Sequence, residues 1–422
     1  MATTTEQNPS QESESPPGAQ RWGALAYREY RLLWIGLIIS NTGSWMATLA
    51  QGWLVVELAP RPALAPFYLG IIGFTRAIPA LLLSGVAGTI ADRVDRRRLL
   101  IVSQVVLGLT ALALAILAQT RTVQIWQVIL LAGLSACALT FDAPTRQSMV
   151  PLLVGPRELM NAIGLNSAAF NGPGIIGPAI GGILVSTVGV SATFYLNALS
   201  FVAVIFALLL MTPKPPVQVA KRLGLWEELV DGLRYVRGQP AILALFLLAL
   251  LVSIVGRPYI QLLPAFVKAT IQGGPDTLGV LMAGSGVGAL AGSIAVAFIG
   301  TRHHRGRIAT ACATLAGVAL FGFSLTKTTL IAASALVALG ASINLFMGMT
   351  NTLLQLHTAL EMRGRVMALY TMIFLGFMPL GSWLLGSIAT LTTLPLTLAA
   401  AGILVALAGL AVSRLPGPRD LA

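Results

Sequence analysis

The sequence predicts an all-α membrane protein whose twelve transmembrane helices form two pseudo-symmetric six-helix bundles. Composition is the first reason. Of 422 residues, 56% are hydrophobic and only 10% charged, and mean hydropathy is +0.83. Soluble domains carry about 25% charged residues, so this chain has little surface meant for water, and the bilayer is the solvent that fits it. The second reason is a recurrence of apolar stretches near 20 residues, the length that crosses a hydrocarbon core. The third is where the positive charge falls between them.

Residues 1–20 are rich in Ser, Glu, Gln and Pro and read as a disordered tail. No short apolar core with a small-residue cleavage site occurs there, so the first apolar segment is expected to stay in the mature protein. Spans 1 to 6 follow at 32–58, 66–90, 99–120, 123–142, 161–187 and 191–211. Spans 7 to 12 lie at 241–266, 278–300, 308–326, 329–349, 366–390 and 394–413. Between the halves, Pro213, Pro215 and Pro216 precede a stretch from Leu225 to Val236 with apolar residues at helical spacing. That stretch predicts a short amphipathic helix on the membrane face. The resulting division is a tail (1–20), a first half (21–211), a linker (212–240), a second half (241–414) and a short tail (415–422).

Charge orients this array. Twenty-one of the 27 Lys and Arg residues fall on the side of the termini, and four (Arg61, Arg121, Lys268, Lys327) fall opposite. Arg76 and Arg257 lie inside spans. Cytoplasmic loops carry such an excess, so both termini are expected in the cytoplasm and the chain in the cell inner membrane. The formal charge of +12 is therefore an orienting charge, and nucleic acid is not expected as a partner. Cys137 and Cys312 sit in apolar runs, too few for a disulfide framework or a metal cluster.

The halves echo one another, as many transporter folds do. Gly88-Thr89-Ile90-Ala91-Asp92-Arg93-Val94-Asp95-Arg96-Arg97-Arg98 joins spans 2 and 3, and Gly300-Thr301-Arg302-His303-His304-Arg305-Gly306-Arg307 joins spans 8 and 9. Arg157-Glu158-Leu159-Met160-Asn161 and Arg363-Gly364-Arg365-Val366-Met367 are the matching later loops.

The stretch from Gly88 to Arg98 resembles the loop 2–3 signature of the major facilitator superfamily, Gly-x-Leu-Ala-Asp-Arg-x-Gly-Arg-Arg. Ile90 replaces the usual Leu and Asp95 the second Gly. The Ala-Asp-Arg-x-Asp-Arg-Arg form is similar to the branch holding enterobactin-type siderophore exporters and macrolide efflux pumps, the drug:proton antiporters. Phe141 to Gln147, Asn161-Ala162, Gly177 to Gly182 and Arg363 to Met367 extend the resemblance over nearly the whole chain from about Arg21. It implies the major facilitator fold and a latch between spans 2 and 11. Gly88, Asp92, Arg93, Arg96, Arg97, Arg146, Arg363 and Arg365 are its gating residues, and Asp142, near the inner end of span 4, completes a charge relay.

A carboxylate such as Asp92 can cap a neighbouring helix and pair with an Arg; a solvated turn that fixes orientation is the plainer reading. Gly177, Pro178, Gly181 and Gly182 predict a bend in span 5, because Pro removes a backbone hydrogen bond. They also suit close packing. Gly286-Val287-Gly288-Ala289-Leu290-Ala291 imitates a dinucleotide fingerprint, but it lies inside an apolar stretch without the required strand. No cofactor and no metal are expected.

Ionisable groups deep in a span are costly and mark function or a structural pairing. Arg76 is the leading candidate: it binds substrate or gates, or else pairs with another span. Arg257 has the same two roles open. Asn41, Trp45, Gln51, Asn166, Asn171, Tyr259, Gln261, Asn344 and Asn351 are candidate path-lining residues, with interhelical hydrogen bonding as the plainer use of each. The predicted function is export of an amphipathic small molecule such as a siderophore, macrolide or other drug, by a monomer lying among membrane lipids and coupled to protons. An importer or lysophospholipid flippase of the same fold is the alternative, and a non-transporting sensor the alternative of another class. An enzyme is not expected.

Overall fold

Within hydrocarbon every backbone N–H and C=O needs a partner from the same chain, and a helix provides one locally. The computed structural model describes residues 22–212, 225–299 and 304–415. The side chains of 84–86, 88, 89, 91–93, 225–229 and 375 lie outside the described set. Among the described residues twelve helices are long and apolar enough to cross a membrane. Spans 1 to 6 are Arg28–Leu58, Pro62–Leu83 (its helix running Ala65–Arg93), Arg96–Gln119, Ile125–Leu153, Pro156–Thr187 and Val190–Leu209. Spans 7 to 12 are Pro240–Ile271, Pro275–Ile299, Arg305–Ser324, Thr329–His357, Leu360–Leu391 and Leu394–Arg414.

Several helices outrun their apolar stretches on the side of the termini. Span 4 continues to Leu153 and span 10 to His357, while span 11 begins at Leu360. Hydropathy marks where hydrocarbon ends, whereas helical hydrogen bonds persist into the polar layer. This corrects one placement. Asp142 is not near the end of span 4: the helix runs eleven residues past it, and the side chain is buried at 2% exposure.

Span 5 breaks earlier than the sequence indicated. Its helices are Leu159–Asn171 and Pro173–Thr187. Pro173 has no N–H to give Ala169 O, and Asn41 Nδ2 of span 1 donates to that carbonyl instead at 2.9 Å. Gly177, Pro178, Gly181 and Gly182 sit inside the second, continuous helix. There Gly177 and Gly181 lie against Trp45 and Met46 of span 1, and Gly182 against Gly279 of span 8. In span 7 the helix widens over Val252–Gly256, where the Arg257 N–H reaches back to Val252 O at 2.9 Å, just before Pro258, which cannot donate.

The linker helix Leu225–Arg237 docks on the first turns of span 11. Asp231 Oδ2 accepts from Arg365 Nη1 at 3.1 Å, and Gly232 lets the two backbones approach. The remaining linker, 213–224, falls outside the described residues.

Among the described residues, close backbone approaches between the halves lie in the part of the bundle remote from the termini. In spans 2 and 11, Gly70 abuts Ser382 O and Gly386 abuts Pro66 O. In spans 5 and 8, Gly182 meets Gly279, and Gly286 meets Gly174 O, the carbonyl that Pro178 leaves without a helical donor. The fingerprint-like Gly286 and Gly288 are thus helix-packing residues, Gly288 against Val337 of span 10.

Candidate functional site

The first half encloses a cavity of about 1220 Å³, lined by spans 1, 2, 3, 4 and 6, with span 11 as the one wall from the second half. It reaches from Phe194 and Leu131 in the remote part to Pro144 and Thr371 nearer the termini. On that nearer side Leu81, Leu82 and Leu139 are 50%, 73% and 51% exposed, whereas the remote part is sealed by the interhelical glycines. The cavity therefore opens toward the termini.

Its walls are largely apolar, with Leu107, Leu114, Phe194 and Phe201 around the depth of the first half. Hydroxyls punctuate them. Thr110 and Ser135 bond each other at 2.8 Å across spans 3 and 4, and Thr48 back-bonds to Ser44 O at 2.8 Å. Asn197 of span 6 also faces the space. Among the described residues the one charged lining group is Arg76, whose Nη2 donates to Gln51 Oε1 of span 1.

The other predicted path residues lie elsewhere. Asn41 satisfies the carbonyl freed at the break in span 5. Trp45 packs on Gly174 and Gly177. Asn166 is half-buried in span 5, and Asn171 back-bonds to Ser167 O at 2.9 Å. Arg257 donates to Phe374 O at 2.5 Å with its guanidinium 4.1 Å from the Phe374 ring centroid. Tyr259 bonds Ser285 at 2.7 Å, and Gln261 reaches Leu69 O at 3.4 Å. Asn344 back-bonds to Gly340 O at 3.0 Å, and Asn351 accepts from Gln355 at 2.6 Å. The cavity wall does not include these groups.

The gating candidates divide likewise. Asp142 pairs with Arg146 one turn on and accepts from Gln104 Nε2 of span 3 at 2.7 Å, a buried triad inside the first half. Arg97 donates to Leu208 O and Leu209 O at the end of span 6, at 2.6 and 2.7 Å. Arg96 is buried and Arg363 half-buried, each with an Nε that finds no hydrogen-bond partner among the described residues. Arg365 holds the linker helix. The side chains of Gly88, Asp92 and Arg93 lie outside the described residues. Helix capping at this turn falls to Asp95, which accepts from the N–H groups of Arg97 and Arg98 at 2.9 and 3.4 Å. Its presence where the signature has Gly thereby acquires a structural reason.

Sequence reasoning missed Thr110, Ser135 and Asn197. A small hydroxyl in an apolar span is usually satisfied by its own helix, so Thr110 and Ser135 give no signal in sequence. Asn197, a single amide in an apolar span, could have been marked.

Residues 19–420 match the family described as transmembrane secretion effector. The chain belongs to this family of the major facilitator superfamily. Curated relatives of this facilitator include the multidrug efflux pump Tap of Mycobacterium tuberculosis (strain ATCC 25618 / H37Rv), 28% identical over 92% of this chain and 94% of Tap. The staphyloferrin A transporter of Staphylococcus aureus (strain NCTC 8325 / PS 47) is 28% identical over 59% of this chain and 62% of that protein. Among solved structures, the facilitator superposes on a bacterial homologue of the human lysosomal transporter Spinster in an inward-facing and unoccupied conformation. The TM-score is 0.72 at 14% identity, covering 92% of this chain and 97% of that one. The facilitator is thus a multi-pass membrane protein whose relatives transport small molecules.

Proposed function

We propose that this facilitator exports an amphipathic small molecule, of the kind represented by siderophores, macrolides and other drugs, by alternating access. The cavity carries the reading. Its volume of about 1220 Å³ suits a drug-sized molecule, and its apolar walls with scattered hydroxyls and one cation suit a molecule with a greasy body and a polar head. Relatives named for efflux support the outward direction. The positive charge on the side of the termini supports cytoplasmic termini in the inner membrane, which makes the open side the cytoplasmic one.

In this cycle substrate enters from the cytoplasm and the sealed glycine contacts of spans 2 and 11 and of spans 5 and 8 separate. The opposite side then closes, and protons moving inward supply the energy. The test is accumulation of fluorescent drugs in a pump-deficient host. Expression should lower accumulation and Arg76→Ala should restore it. Unchanged accumulation across a broad panel counts against export, and insensitivity of vesicle transport to an imposed pH gradient counts against protons.

A further inference from the structure

The charge on the cavity wall has one sign. Arg76 is the charged lining residue among those described, and no described carboxylate faces it. Span 4 lines the cavity with Ala143 and Pro144, but Asp142 beside them is turned into the bundle, held by Arg146 and Gln104. That acid and base cancel one another and leave Arg76 uncompensated. Among the described residues its hydrogen-bond partner, Gln51, offers a neutral carbonyl oxygen to one guanidinium nitrogen. A guanidinium carries five N–H donors, so most of the fork stays available. Gln51 is buried at 7% exposure, and it holds the guanidinium in place on the wall.

A cation in apolar surroundings is stabilised most by an anion that shares two hydrogen bonds with it, and a carboxylate matches the fork. A second cation would meet repulsion with no acid to screen it. We infer that the substrate is an organic anion, an amphipathic carboxylic acid whose head pairs with Arg76 and whose body lies among Leu107, Leu139, Phe194 and Phe201. This rests on the transport reading and narrows it from amphipathic molecules in general to acids, with permanently cationic amphiphiles excluded.

Equilibrium binding tests it without reference to direction or energy source. The full-length protein in detergent is titrated with 2-naphthylacetate, 2-naphthylacetamide and 2-naphthylethylammonium, which share one aromatic body and differ in head charge. The acetate is expected to bind about tenfold more tightly than the amide, the size of one charge-assisted contact, and the ammonium not measurably. Arg76→Gln, checked for folding by its thermal midpoint, should bring acetate and amide within about twofold of each other. Arg76→Lys should keep the order with a smaller ratio. Equal affinities, preference for the ammonium, no binding of the acetate, or an unchanged ratio in folded Arg76→Gln each overturns the inference. Anion-selective binding without export would sink the export reading alone, and export with cation preference would sink this inference alone.

Discussion

The two halves put similar helices to opposite uses. In the second half backbones touch backbones: Gly317 meets Gly402 and Ala406, Gly292 meets Ala341, and Gly340 meets Ser285. Phe266 and Phe323 fill the space between, with ring centroids 4.4 Å apart. The first half instead surrounds an open cavity. Arg76 of span 2 and Arg257 of span 7, one in each half, are spent differently. Arg76 presents its fork to the cavity beside a neutral amide, while Arg257 is occupied by the Phe374 carbonyl and ring. One half is hollow and the other tightly packed.

This contrast can be broken most forcefully at the buried pair of Asp142 and Arg146 inside the hollow half. Asp142→Ala leaves Arg146 as a lone buried cation, which costs about 3–5 kcal/mol, read as a large fall in thermal midpoint. Replacing both partners by apolar residues should recover most of that loss, and a double variant as unstable as the single one would refute the pair's role. In the packed half, Gly317→Ala drives a Cβ into the backbone of Ala406 and Gly402. The expected cost is about 1–3 kcal/mol, against a change within about 0.5 kcal/mol for Ala80→Phe on the cavity wall. Ala80→Phe should nevertheless cut export severalfold by filling the binding space.

Arg257→Met sharpens the comparison of the arginines. Loss of its carbonyl and ring contacts should cost about 1–2 kcal/mol and leave the head-charge preference of bound ligands unchanged, whereas Arg76→Gln should do the reverse. The smallest effect belongs to the linker. Asp231 is 42% exposed against Arg365, so Asp231→Asn should cost at most about 1 kcal/mol and show, if at all, in denaturant titration at low salt.

Much of the fold was legible in advance, and the site much less so. Twelve spans and an inter-half helix follow from local composition. Arg76 and Gln51 were legible because a charge and an amide stand out in apolar sequence. Asn41 stood out equally but serves the carbonyl freed by Pro173, a need created 128 residues away in the chain. Arg257 and Tyr259 stood out too, with a path role and an interhelical role both open; their partners, Phe374 and Ser285, belong to other spans and so could not be read from the local sequence.

By itself the sequence determined the number of crossings and the side bearing the charge, because helix formation in hydrocarbon is a local rule of length and satisfied backbone groups. Tertiary structure alone decided which half is hollow, which arginine faces the hollow and which amide mends a broken helix. Those outcomes depend on how glycines and prolines of distant spans meet, and on where a polar side chain finds the nearest unsatisfied group.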